Sequence, residues 1–278
     1  MITLKSDREL KKMEVAGSCV AAVHQAVREA AKVGVDLKEL DGIAAEVTSQ
    51  KGCIPSFLGY QPSPLQTPYP GHLCLSVNDV IVHGIPSGYR LRSGDILSVD
   101  AGAIYEGFHG DAAFTMGIGE LSPEAAALVA VTEESMWAGI RAVAHGARLG
   151  DVGAAVQAVG DTHGYGIVRE YVGHGIGRQM HEEPQVPNLG TAGKGIKLRV
   201  GMALCIEPMF NMGGWETRVD PDGWTVRTAD GSLSAHFEHT VAISRTGVKV
   251  MTMPGAPDLA DIPGTDYNSR PVYGTQST

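Results

Sequence analysis

The sequence predicts an α+β fold built as two similar halves, each a helix pair packed on antiparallel strands. Three observations lead there. A long helix followed by a shorter one is signalled twice, apolar β-type runs follow each pair, and landmark residues recur 112 positions apart: Gly34 with Gly146, Leu37 with Leu149, Gly52 with Gly164. A duplication of this kind predicts a site between the halves.

In the first half, Ser6-Asp7-Arg8-Glu9 is a capping-box pattern, and Leu10, Met13, Val20, Val23 and Val27 follow at helical spacing until Gly34 closes the segment. Asp36 to Glu39 repeats the capping pattern before a shorter helix that ends at Gly52, back to back with the first. In the second half, Ser122-Pro123-Glu124 opens a long helix toward Gly146, and a shorter one runs from about Gly150 to Gly164. The apolar runs 73–85 and 95–117, then 202–210 and 234–244, read as strands. The 278 residues fit a single domain over 1–253. Residues 254–278, rich in Pro, Gly, Ser, Thr and Asp, read as a loosely held C-terminal extension.

Composition narrows the class. A formal charge of −9 and a pI near 5.5 leave no basic stripe for phosphates or anionic lipid, so neither nucleic acid nor a membrane is expected as partner. The substrate is expected to be cationic or neutral. Cys19, Cys53, Cys74 and Cys205 are scattered without a C-x-x-C pair, which fits a reducing compartment. Residues 1–30 are studded with charge, and no apolar run approaches the roughly 20 residues of a membrane helix. A cytoplasmic location is expected.

The most informative stretch, 97–111, reads as strand, turn near Glu106-Gly107, and return strand. A turn centred at 105–106 sets Asp100 opposite Asp111; one centred at 106–107 sets Asp100 opposite Ala113. Either register puts both carboxylates on one face, where they repel unless a cation lies between them. The neighbours Ala101, Ala103, Ala112, Ala113 and Phe114 weaken the alternative of a solvated polar face. Glu207 lies within Ala203-Leu204-Cys205-Ile206-Glu207-Pro208, and Glu238 within Ala235-His236-Phe237-Glu238-His239. Taken singly, either is as well read as a strand-edge Glu facing water; together they add two hard oxygen donors. His174, His181 and His83 stand in Gly-rich breaks of apolar runs, a pattern that points to a site.

Rival motifs fail. Gly173-x-Gly175-x-Gly177 has the wrong spacing for a dinucleotide loop, the zincin second His is missing after His181-Glu182, and neither a G-x-S-x-G elbow nor a P-loop occurs. Four carboxylates and one imidazole remain. That set suits two divalent ions about 3.5–4 Å apart, able to polarise a carbonyl and generate hydroxide at neutral pH.

These residues resemble the type I methionine aminopeptidases of the pita-bread fold, over roughly residues 4–252. Besides the ligand order, the matching wording is Asn78-Asp79-Val80-Ile81-Val82-His83-Gly84-Ile85-Pro86, Gly173-His174-Gly175-Ile176-Gly177, His181-Glu182-Glu183-Pro184-Gln185-Val186, Ile206-Glu207-Pro208 and Asp222-Gly223-Trp224-Thr225-Val226. The resemblance implies a metalloaminopeptidase that removes the initiator methionine when the second residue is small, by metal-activated hydroxide attack on the peptide carbonyl. It implies Asp111 and Glu238 as ligands shared by two ions (Co, Mn, Fe or Zn), Asp100 on one ion, and His174 with Glu207 on the other. Glu207 would also accept a proton, His181 would stabilise the oxyanion, and His83 would contact the peptide nitrogen. Phe57, Tyr60, Tyr69, Met180 and Trp224 would form the methionine pocket.

The chain departs from that pattern at Phe57, where Cys is frequent, at Met180, where Phe is frequent, and at 61–68, which reads as an insertion stiffened by Pro62, Pro64 and Pro68. The substrates expected are the N-termini of nascent polypeptides at the ribosome, met by a monomer. An enzyme of the same fold that cuts before proline would be expected to carry a further N-terminal domain. A non-enzymatic binding module of this fold would not be expected to keep every ligand.

Overall fold

The computed structural model describes residues 1–262. α1 (Asp7–Ala30) begins where the Ser6 hydroxyl accepts from the Glu9 amide and the Glu9 carboxylate accepts from the Ser6 amide, the reciprocal cap its sequence predicts. α2 (Leu37–Gln50) is capped by Asp36 through the Lys38 amide, in place of the expected pair with Glu39. α3 (Pro123–Arg141) and α4 (Leu149–His163) form the second pair.

Both long helices stop a few residues before the glycines expected to end them. Gly34 and Gly146 instead turn the chain, with φ of 90° and 94°, and donate to the Leu91 and Leu198 carbonyls at 2.7 and 3.0 Å. The surrounding bonds repeat too. Leu37 N bonds Tyr89 O as Leu149 N bonds Ile196 O, and Leu91 N bonds Val35 O as Leu198 N bonds Ala147 O. The 112-residue offset is a structural duplication.

The first half adds β1 (Ile54–Pro55), β2 (Leu73–Val77), β3 (Val80–Val82), β4 (Ile96–Tyr105) and β5 (Phe108–Gly117). The second adds β6 (Gly166–Ile167), β7 (Gly173–Gly175), β8 (Glu182–Val186), β9 (Ala203–Ile206), β10 (Met209–Asn211), β11 (Thr217–Val219), β12 (Val226–Thr228), β13 (Ser234–His236), β14 (Glu238–Ile243) and β15 (Val248–Val250). A nine-stranded antiparallel sheet runs β1-β4-β5-β14-β9-β7-β8, with β2 on β4 and β15 on β14, so β5 and β14 join the halves at its middle. Val99, Ala101, Ala112, Phe114, Leu204, Ile206 and Val241 turn to one face and form one core with residues of all four helices. Strand alternation sends the residues between them to the opposite face.

Packing does not stop at Met253. The Val250 amide bonds the Pro257 carbonyl at 3.0 Å, and Ala256 and Ile262 are buried, so the start of the expected extension is held against β15. Residues 263–278, the rest of that extension, lie outside the described residues.

Candidate metal centre

The hairpin of β4 and β5 turns at Glu106-Gly107, both with positive φ (45° and 79°), as a two-residue type I′ turn requires. Its register sets Asp100 opposite Ala113 and Asp111 opposite Gly102, the second of the two that the sequence allows. Glu238 faces Ala113 from the other side. Asp100, Ala113 and Glu238 thus form a row across three strands, with Asp111 diagonal to it. Glu207 follows β9, and β7 lies beside β9 with Gly175 opposite Leu204, which brings His174 alongside. All five side chains line one cavity of about 710 Å³, as do His83 and His181.

Asp111, His174 and Glu238 are buried, and Asp100 and Glu207 are largely so. Burial, then mutual repulsion, pushes Asp100, Glu207 and Glu238 well above the usual carboxylate range, and burial pushes Asp111 up to about 7. One oxygen of each is enclosed without a hydrogen-bond partner: Asp100 Oδ1, Asp111 Oδ1, Glu207 Oε1 and Glu238 Oε1. Converging buried oxygens of this kind fit divalent cations, which restore both charge and coordination. Asp111, His174, Cys205 and Glu238 each offer a donor atom within 4.8 Å of one another, and Glu207, His236 and Glu238 form a second such group. Asp100 falls outside both groups but shares the cavity. The Cys205 thiol is pushed well above its ordinary range by burial and by the Glu238 charge, so it is a neutral thiol and a poor donor.

His181 stands at the cavity mouth, its ring 4.3 Å from that of His174 and its Nδ1 2.7 Å from the Tyr60 hydroxyl. His83 has φ of 59° and lies edge-on to Tyr171 and Trp224. Burial lowers both rings, His83 to about 4, so both are neutral at pH 7. The cavity is also lined by an apolar cluster of Phe57, Tyr69, Cys74, Met180 and Trp224, with Tyr60 and Ile85 packed on it. The five expected pocket residues therefore meet. The 61–68 segment leans on this cluster, since Trp224 Nε1 donates to the Thr67 carbonyl at 2.9 Å and Gln66 Nε2 to the Gly223 carbonyl at 2.8 Å.

Sequence reasoning missed Cys74 and His236. Cys74 could have been found by pairing the 73–77 run with the hairpin, because β2 places it opposite Asp100. His236 had a signal as well, two residues before Glu238 on an alternating strand run.

The sequence pattern of metallopeptidase family M24 matches residues 11–245. The chain belongs to metallopeptidase family M24. Within it, the methionine aminopeptidase of Clostridium perfringens is 44% identical over 253 residues, 91% of this chain and 99% of the relative. Methionine aminopeptidase 1 of Bacillus subtilis is 44% identical over 252 residues, again 91% and 99%. The crystal structure of methionine aminopeptidase from Thermotoga maritima superposes with a TM-score of 0.87 at 41% identity, covering 91% of this chain and all of that one. The prolidase of Pyrococcus furiosus, at 20% identity and a TM-score of 0.69, shares the pita-bread fold that M24 members adopt.

Proposed function

We propose that the chain removes N-terminal methionine from polypeptides, and that Asp100, Asp111, His174, Glu207 and Glu238 hold two divalent ions for that reaction. The observation that carries the proposal is the set of four partnerless buried carboxylate oxygens that share one cavity with an apolar cluster. When bound, the ions supply Lewis acidity and an activated water.

The chain's own groups supply the rest. Glu207 is placed to take the water's proton. The role of His181 requires the tautomer in which the Tyr60 hydroxyl, 2.7 Å from Nδ1, is the donor, so that His181 carries its proton on Nε2 and donates it as a hydrogen bond to the developing oxyanion. Glu207 then returns the water's proton to the peptide nitrogen as the C–N bond breaks, while His83, neutral, donates a hydrogen bond to the same nitrogen. Phe57, Tyr60, Tyr69, Met180 and Trp224 enclose the thioether side chain, a fit for one unbranched apolar residue.

In this reading the chain acts as a monomer through a single catalytic domain. Initiator methionine is present on chains leaving the ribosome, so the proposal places the enzyme in the cytoplasm beside it. A panel of Met-Xaa-Ser peptides, each free and acetylated, tests the reading by mass spectrometry. Cleavage is expected only with a free amine and a small second residue such as Gly, Ala or Ser. Efficient cleavage of the acetylated set, or of Xaa-Pro peptides in place of Met peptides, would contradict it.

A further inference from the structure

The cavity contains a second buried imidazole besides His174. His236 ends β13 and is 2% exposed, and it pairs with Met209 two residues past Glu207, so it stands diagonal to that carboxylate. Its Nε2 is 3.9 Å from Glu207 Oε2, while His174 Nε2 is 3.4 Å from Glu207 Oε1. Imidazole nitrogens therefore flank the carboxylate on both sides.

The longer separation is no hydrogen bond, and His236 Nε2 is enclosed without any partner. Burying a ring nitrogen unsatisfied is costly, so its position calls for a partner absent from the protein itself. Donors bound to one ion at about 2.1 Å stand roughly 3 Å apart at a right angle and roughly 4.2 Å apart when opposite. The separation of 3.9 Å falls within that span. Glu207, His236 and Glu238 also bring one donor atom each within 4.8 Å of the others.

Resting on the metal centre proposed above, we infer that His236 is a sixth ligand side chain, binding through Nε2 the ion that Glu207 and Glu238 hold. A neutral nitrogen there makes that position less anionic and softer than carboxylates alone would. It then favours zinc, iron or cobalt over manganese.

The test is X-ray absorption of the protein loaded with two equivalents of Zn²⁺, together with chelator competition. The wild type should show on average one imidazole per zinc, falling to half in His236→Gln. Zinc affinity should fall about tenfold or more in the variant and manganese affinity much less. Half an imidazole per zinc in the wild type, or a variant with unchanged scattering and zinc affinity, overturns the inference while leaving the five-ligand centre standing. A wild type that takes up no zinc overturns the centre itself. Should His236→Gln fail to fold, the wild-type spectrum alone decides between one imidazole and a half.

Discussion

His174 presents Nε2 to Glu207, 3.4 Å from Oε1, because its Nδ1 donates to the Gly175 carbonyl 2.9 Å away. A carbonyl only accepts, so the proton sits on Nδ1 and the lone pair on Nε2 faces the carboxylates. Backbone here does what a carboxylate does for other ligand histidines. The arrangement depends on close approach: a Cβ at Gly173 would lie 2.3 Å from the Cys205 carbonyl oxygen, and one at Gly175 2.3 Å from that of Glu183. The ring is fixed by strands β7, β8 and β9 before any ion arrives.

Asp111→Asn should lose the metal and abolish peptide cleavage, because an amide brings no charge to a dication. Metal affinity should fall by more than about 100-fold, beyond the usual effect of losing a supporting group. The metal-free variant should melt above the metal-free parent, since repulsion with Asp100 and Glu238 is relieved. Metal content and paired melting curves measure both effects; an Asn variant that keeps two tightly bound ions contradicts the assignment.

His181→Ala should lower kcat by about 100-fold or more while metal content stays unchanged, because its hydrogen bond strengthens only in the transition state. Tyr60→Phe should lower kcat in the same direction by a smaller factor, since it removes the hydroxyl bonded to His181 Nδ1. Steady-state kinetics with metal analysis separates these roles from ligation, which loss of metal in His181→Ala would reveal.

On the core side of the central sheet, His24 packs edge-on to Phe114 at 4.8 Å with Nε2 unpartnered, and burial pushes its ring down to about 3, helped by Arg28 and His239. The folded chain keeps it neutral where the unfolded chain protonates it, below about 6.5. Its contribution to stability is therefore full above that pH and declines as the pH falls toward about 3. Glu133, raised to about 7 by burial, works in the opposite sense, losing stability as the pH rises from about 4.5 through 7. Urea unfolding of the parent and His24→Gln at about pH 7.5 and 5.5 isolates the His24 part. The parent should lose about 1.4 kcal/mol more than the variant over that interval; equal losses would show that His24 titrates normally in the folded chain.

Much of this was legible because strand alternation and turn chemistry are local. Asp100 and Asp111 fall on one face in either hairpin register, so the reading survived an unresolved turn, and the positive φ of Glu106 and Gly107 then chose between registers. Gly34 and Gly146 revealed the duplication because both turns need a left-handed residue. Helix ends were less legible, since the capping of α2 and the exits of α1 and α3 depend on bonds to distant loops such as Leu91 and Leu198. Cys74 went unread for a similar reason, since its place depends on pairing with Asp100; His236 shares a strand face with Glu238, but its approach to Glu207 depends on pairing with Met209.

The central claim is that converging carboxylates and His174 hold divalent ions on which methionine removal depends. The measurement that tests it most directly strips the protein with chelator, confirms the loss by metal analysis, and follows Met-Ala-Ser hydrolysis as Mn²⁺, Co²⁺, Fe²⁺ or Zn²⁺ is returned. Cleavage should vanish in the stripped protein and recover as at least one of these ions fills the site, with none recovered in Asp111→Asn. Undiminished cleavage by the metal-free protein would contradict the account.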